Sequence, residues 1–133
     1  VTVLVDSNVL IDVAVADPEW GDWSRRALDR AAAAEILVVN PIVYAELSVA
    51  YQRIEEVEEA LPSSAFRREQ LPYEAAFLAG KAFIRYRRNG GLRRSPLPDF
   101  FIGAHALVAG HRLLTRDAGR YRTYFPRLDL ISP

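Results

Sequence analysis

Three short runs constrain this chain more than any other feature: Val1 to Val5, Ile36 to Val39 and Leu113 to Thr115. Each is too brief for a helix, is dominated by Val, Ile or Leu, and lacks the strict alternation of a strand with one wet face. Strands of this kind are covered on both sides, as in parallel sheets. Parallel neighbours need crossovers of about a dozen residues or more, and stretches patterned as helices lie between the runs. The expected fold class is α/β: a three-layer α/β/α arrangement with a central, mainly parallel sheet and right-handed crossovers.

The remaining punctuation fits one domain over residues 1–133, without linker or repeat. A short helix is expected over 8–16. Asp17-Pro18 and Asn40-Pro41 each read as a cap followed by Pro at the first helical position, starting helices to about Ala34 and Gln52. Residues 53–61 carry Glu55, Glu56, Glu58 and Glu59 and read as a solvated helical face. A short strand or irregular piece is expected over 66–71. Ala75, Leu78, Ala79, Ala82, Phe83 and Tyr86 mark a helix from Pro72 to the Asn89-Gly90-Gly91 stop. Pro98 and Gly110 bracket another helix, 120–125 reads as a helical turn, and 128–131 as a last strand. Trp20 and Trp23 share a helix face and read as core or partner contacts.

Cysteine is absent, which excludes disulfides, thiolate metal sites and cysteine nucleophiles. No run approaches the roughly 18 apolar residues of a membrane span, and the N-terminus lacks the pattern of a secretory signal. A cytoplasmic setting and no membrane partner are expected. The first β–α turn carries no Gly-rich fingerprint and no P-loop occurs, so nucleotide binding of those kinds is unsupported.

Four acids stand in positions a purely structural chain has little reason to fill. Asp6 ends the first strand, where α/β sheets gather ligands; it would also serve as a helix cap. Glu46 has Ile42, Val43, Val49 and Ala50 as helical neighbours, so it falls within an apolar stripe and calls for a metal or a partner arginine. Asp99 lies in the first turn of its helix, a favourable place for any acid, yet on the face of Ile102, Gly103 and Ala106. Asp117 follows the third strand, before a turn at Ala118-Gly119. Should the four converge, each pair at 4 Å repels by about 4 kcal/mol at an effective dielectric near 20. A divalent cation offsets that, and oxygen-only ligands select Mg²⁺ or Mn²⁺ over zinc. Thr115 and Arg116 are suited to supporting or phosphate-contact roles, and Ser7 and Asn8 form the turn that aims Asp6. Asp12, on the following helix, is expected to face solvent, with a place bordering the site as the alternative; His105 has no partner at metal spacing on its helix, and His111 lies next to a turn.

Val3 to Asp12, Asn40 to Leu47, Pro98 to Ala106 and Leu113 to Asp117, in this order and at this spacing, resemble the PIN domain, and within it the VapC-type toxins of toxin–antitoxin pairs. The resemblance spans essentially the whole chain and all four acidic positions of the family are filled. It implies a metal-dependent ribonuclease acting on single-stranded or looped RNA, a homodimer, and a cognate antitoxin. Carried over, Asp6, Glu46, Asp99 and Asp117 would be the catalytic set. Asp6 and Asp99 would be the principal metal ligands, Asp117 would bind metal directly or through water, and Glu46 would orient or deprotonate the attacking water.

The zero net charge hides a division: residues 1–75 sum to −8 and residues 76–133 to +8. All but one of the basic residues are arginine, whose planar fork suits phosphate. Arg85, Arg87, Arg88, Arg93 and Arg94 flank the approach to Asp99 and are candidates for the RNA backbone. Three other readings stand beside the ribonuclease. A structure-specific DNA nuclease would use the same chemistry, and a catalytically silent module would bind RNA or antitoxin without cutting. A phosphoacceptor module would place a lysine after its last core strand, whereas the single lysine here is Lys81, inside a helix.

Overall fold

The computed structural model describes residues 1–133. Its sheet has five strands, all parallel: β1 (Thr2–Val5), β2 (Ile36–Val39), β3 (Phe66–Arg68), β4 (Arg112–Leu114) and β5 (Leu130–Ile131). Their order is β3-β2-β1-β4-β5. The central strand is thus the first one made, with Leu4 opposite Val38 on one side and Leu113 on the other. The chain builds outward from β1 to β2 and β3, then returns to lay β4 and β5 on the opposite side. That reversal opens a crevice at the carboxyl ends of β1 and β4, the usual ligand position in such sheets.

Seven helices complete the three-layer α/β/α fold: α1 (Ser7–Ala14), α2 (Gly21–Ala34), α3 (Pro41–Ser48), α4 (Ile54–Ala60), α5 (Tyr73–Arg88), α6 (Pro98–Ala109) and α7 (Gly119–Tyr124). None is long and apolar enough to cross a membrane. The core joins the sheet's Val3, Leu4, Val5, Val38, Leu113 and Leu114 to α6, whose Phe100, Ile102, Ala104 and Ala106 are fully buried. On α5, Ala75, Ala79 and Ala82 are buried and small, which lets α6 come close. Gly110 closes α6 at φ +74°, a conformation that strains any residue with a Cβ.

Two helices differ from expectation, each because a side chain intervenes. Asp17 does cap, but its Oδ2 takes the N–H groups of Glu19 (3.1 Å) and Trp20 (2.7 Å) and closes a separate turn, so α2 starts only at Gly21. Asn40 caps α3 as expected, accepting the Val43 N–H at 2.9 Å. At the other end Ser48 Oγ donates to Tyr44 O at 2.7 Å and the chain tightens into three-residue hydrogen bonds, so α3 stops at Ser48 rather than near Gln52.

Candidate metal and nuclease site

Asp6 leaves β1 with its N–H still bonded to Leu114 O at 2.8 Å, so the ladder itself carries the carboxylate to the crevice. The residue is only 3% exposed. Its two oxygens are treated differently. Oδ2 accepts Thr115 Oγ1–H and Tyr121 O–H, both at 2.9 Å, with Asn8 Nδ2 at 3.4 Å. Oδ1 has only Ser7 Oγ, at 3.5 Å. One oxygen is locked into the protein and the other is left for a ligand.

The supporting turn fits that division. Ser7 sends its single hydroxyl hydrogen to Glu46 Oε1 at 2.7 Å. Thr115 Oγ1, having donated to Asp6, accepts from Asn8 Nδ2 (3.1 Å) and from the Asp117 N–H (3.2 Å). Asn8 Oδ1 takes the Arg116 N–H at 3.3 Å. Ser7, Asn8 and Thr115 therefore link the turn after β1 to the turn after β4, and both turns carry acids. The Arg116 guanidinium is aimed elsewhere: its Nε donates to Asp12 at 2.7 Å and its plane lies 5.8 Å over Trp20.

The four acids share one field. Burial pushes the Asp6 carboxyl up to about 6, against the bonds from Thr115 and Tyr121, and the charges of Asp99 and Glu46 push the same way. Glu46 is raised by burial and by Asp99, with Ser7 opposing. Asp99 is raised by burial; Arg120, 3.2 Å away, opposes, and Asp117 adds to the rise. Asp99 and Asp117 border an open depression of about 380 Å³ with Tyr86, Arg120, Thr123 and Tyr124. Carboxylates whose proton affinity is raised by neighbouring carboxylates are short of positive charge. An oxygen-only set with an unbonded Oδ1 on its most buried member fits a hard divalent ion.

Not every expectation about neighbouring residues holds. Glu46 is half-buried, but Val49 beside it is 86% exposed, because α3 is apolar almost all round and only Val43 and Leu47 mark its core face. Asp12 is buried rather than solvent-facing, held by Arg116 and by Ser24 Oγ at 2.7 Å. Helical spacing located Asp12 on α1, but its cation comes 104 residues later. Tyr121 and Arg120 also touch the acids without having been singled out, since nothing local in Gly119–Tyr124 points to a carboxylate at Asp6 or Asp99. All five candidate arginines are exposed; Arg85 and Arg87 each donate one bond, to Tyr124 O and Arg93 O.

His105 and His111 meet after all, with Glu69: both Nε2 atoms lie on Glu69 Oε1, at 3.1 and 2.7 Å. Three such groups are a possible ligand set, but the proton positions argue otherwise. Asn40 Oδ1 is fixed by its cap bond, so its NH₂ faces His105 Nδ1 at 2.9 Å and that nitrogen must accept. Nε2 then carries the hydrogen and donates to Glu69. A cation there would force the proton onto Nδ1, against an N–H. The group is a hydrogen-bonded tie, completed by Thr2 Oγ1 on His111 Nδ1 and by Arg67 on Glu69.

The PIN domain family pattern matches residues 3–126. No curated protein matches the chain in sequence. Among solved structures, VapBC2 from Rickettsia felis bound to a promoter DNA fragment is 17% identical, with TM-score 0.74 and coverage of 100% of this chain and 99% of that one. VapBC-1 from nontypeable Haemophilus influenzae is 18% identical, with TM-score 0.73 and coverage of 99% and 98%. FitAcB from Neisseria gonorrhoeae is 17% identical, with TM-score 0.68 and coverage of 97% and 96%. At these identities the likeness is one of fold.

Proposed function

The chain belongs to the PIN domain family, and from that premise we propose that it is a Mg²⁺- or Mn²⁺-dependent endoribonuclease, the toxin of a toxin–antitoxin pair. One observation carries the reading: at the sheet's switch point Asp99 and Glu46 raise the proton affinity of a buried Asp6 that keeps Oδ1 open, Asp99 raises Glu46, and Asp117 raises Asp99. When bound, a divalent ion neutralises phosphate charge and lowers the pKa of water. Asp6 offers Oδ1 to it, held in place by Thr115 and Tyr121 on Oδ2. Asp99 and Asp117 complete the set of ligands. Glu46, turned by Ser7, takes the proton of the attacking water; its raised proton affinity suits a base working near neutral pH. In-line attack on the phosphodiester leaves a 5′-phosphate and a 3′-hydroxyl.

The partners follow the same reading. The similar solved structures include a toxin–antitoxin complex from Klebsiella pneumoniae, 21% identical, which supports an antitoxin as this chain's binding partner. Tyr73 and Phe77, one turn apart, and Ile84, two turns further along α5, are exposed at 91%, 64% and 42%, apolar positions on one face that support a homodimer. Light scattering of a Phe77→Glu variant beside the wild type tests it; an unchanged mass excludes that face.

The decisive assay incubates purified protein with single-stranded RNA, and with DNA of the same sequence, in Mg²⁺ or in EDTA. Asp6→Ala runs in parallel. RNA is expected to be cut only with Mg²⁺ and only by the wild type. Cleavage that survives EDTA, or equals wild type in Asp6→Ala, overturns the mechanism. Cutting of DNA in place of RNA moves the substrate to the other nucleic acid.

A further inference from the structure

Arg120 sits among the acids with most of its hydrogen-bonding capacity unspent. Its Nη1 makes one bond, to Asp99 Oδ2 at 3.2 Å, and the pair is open to water, with side chains 43% and 35% exposed. A single-bonded, solvated pair of this kind adds little stability. The other N–H groups of the fork have no protein acceptor, and its one partner is an acid of the site, whereas the single bonds of Arg85, Arg87 and Arg116 go to Tyr124 O, Arg93 O and Asp12.

Beneath Arg120 lies a stiff support. Its guanidinium carbon is 5.8 Å from the centroid of the Tyr86 ring. Tyr86 in turn is packed against Phe100 (5.6 Å), Tyr124 (6.4 Å) and Phe83 (6.3 Å). The loop passes so close that a Cβ on Gly91 would collide with the ring. The guanidinium is thus held at the wall of the depression that also contains Asp99 and Asp117. A planar fork beside the acids, with donors free and facing open space, has the shape that takes two non-bridging oxygens of a phosphodiester.

We propose that Arg120 is a phosphate-binding residue of this site, resting on Asp99 while the acids lack a cation and turning to the backbone of a bound RNA strand when they hold one. The proposal deepens the nuclease reading and rests on it. Arg120 and the divalent ion compete for the charge of Asp99. An ion that takes over the charge of Asp99 frees the guanidinium, which then offers its fork to an RNA phosphate that the acids alone would repel.

The test separates binding from cleavage by working in Glu46→Gln protein, which keeps Asp6, Asp99 and Asp117. Binding of a fluorescent single-stranded RNA is titrated in Mg²⁺ across KCl concentrations, for Glu46→Gln and for Glu46→Gln with Arg120→Gln. The slope of log K against log salt is expected to become shallower by about 0.7, one phosphate contact on a single strand. Arg120→Lys in the same background keeps the slope and loses affinity, because charge remains and the fork does not. Mn²⁺ binding, read by calorimetry without RNA, is expected to tighten by about twofold to fivefold in Arg120→Gln, the effect of removing one exposed ion pair. An unchanged salt slope, or weaker Mn²⁺ binding, overturns the proposal while leaving the nuclease reading intact. A parent that binds neither RNA nor the matching DNA brings down both, and one that binds only the DNA replaces the RNA assignment for both.

Discussion

Asp6 holds its charge at a cost. Its carboxyl titrates near 6 because it is buried, even with Thr115 and Tyr121 donating to it. A folded-state value above the unfolded 3.8 means that the native protein binds this proton more tightly. The associated stability is fully present below pH 3.8 and is lost as pH rises through 6. The gap of about two pKa units corresponds to no more than about 3 kcal/mol. Asn at this position keeps an oxygen for Thr115 and Tyr121 and removes the charge. In EDTA at pH 7.5, Asp6→Asn is therefore expected to be more stable than wild type by about 2 kcal/mol, with the difference gone near pH 4. Mg²⁺ should stabilise the wild type at pH 7.5 and not the variant. Urea unfolding with and without the ion measures both; equal stabilities in EDTA at pH 7.5 would refute the account of Asp6.

At the scale of elements, α7 matters more than its six residues suggest. It delivers Tyr121 to Asp6 and Arg120 to Asp99, and α6 supplies Asp99 itself, so the fit between α6 and α7 sets the site. That fit depends on Gly103. A Cβ there would stand 2.7 Å from the Phe125 ring and 3.0 Å from the Tyr121 ring, with both rings buried and unable to yield freely. Gly103→Ala is expected to cost about 1–3 kcal/mol, the usual price of overpacking, and to move Tyr121 off Asp6. The readout is a lowered urea midpoint together with weaker Mn²⁺ binding. A midpoint within error of wild type would mean that the two helices have slack.

Across the whole molecule, what sequence could reveal was local. The places of Asp6 and Asp117 were legible because one directly follows β1 and the other lies in the turn after leucine-rich β4, and parallel strands deliver such ends to one edge. The inward placing of Asp99 was legible from helical period, and that of Glu46 only in part, since Val49 on its expected stripe is exposed. Side-chain pairings over long separations were not: Asp12 with Arg116, and Glu69 with His105 and His111, 36 and 42 residues apart. No spacing rule links such residues; only the folded sheet does. The Glu69 tie spans that sheet, joining the segment after edge strand β3 to α6 and to the residue before β4. Burial acts to raise the Glu69 carboxyl, but bonds from His111, Arg67 and His105 outweigh it and hold it below its usual value. A lowered carboxylate contributes stability that is present above its unfolded value of 4.5 and lost as pH falls through the folded one. His105, lowered by burial, acts in the same sense, since the unfolded chain takes up its proton first on acidification below about 6.5. Glu69→Gln keeps the size and removes the charge. It is expected to lower stability by about 1–3 kcal/mol at pH 7, the value of hydrogen bonds to a charged group. The deficit should persist to about pH 5 and close at lower pH, where wild-type Glu69 also becomes neutral. Urea midpoints of the two proteins from pH 3.5 to 8 measure it. A deficit that does not change with pH would make the tie a matter of shape rather than charge.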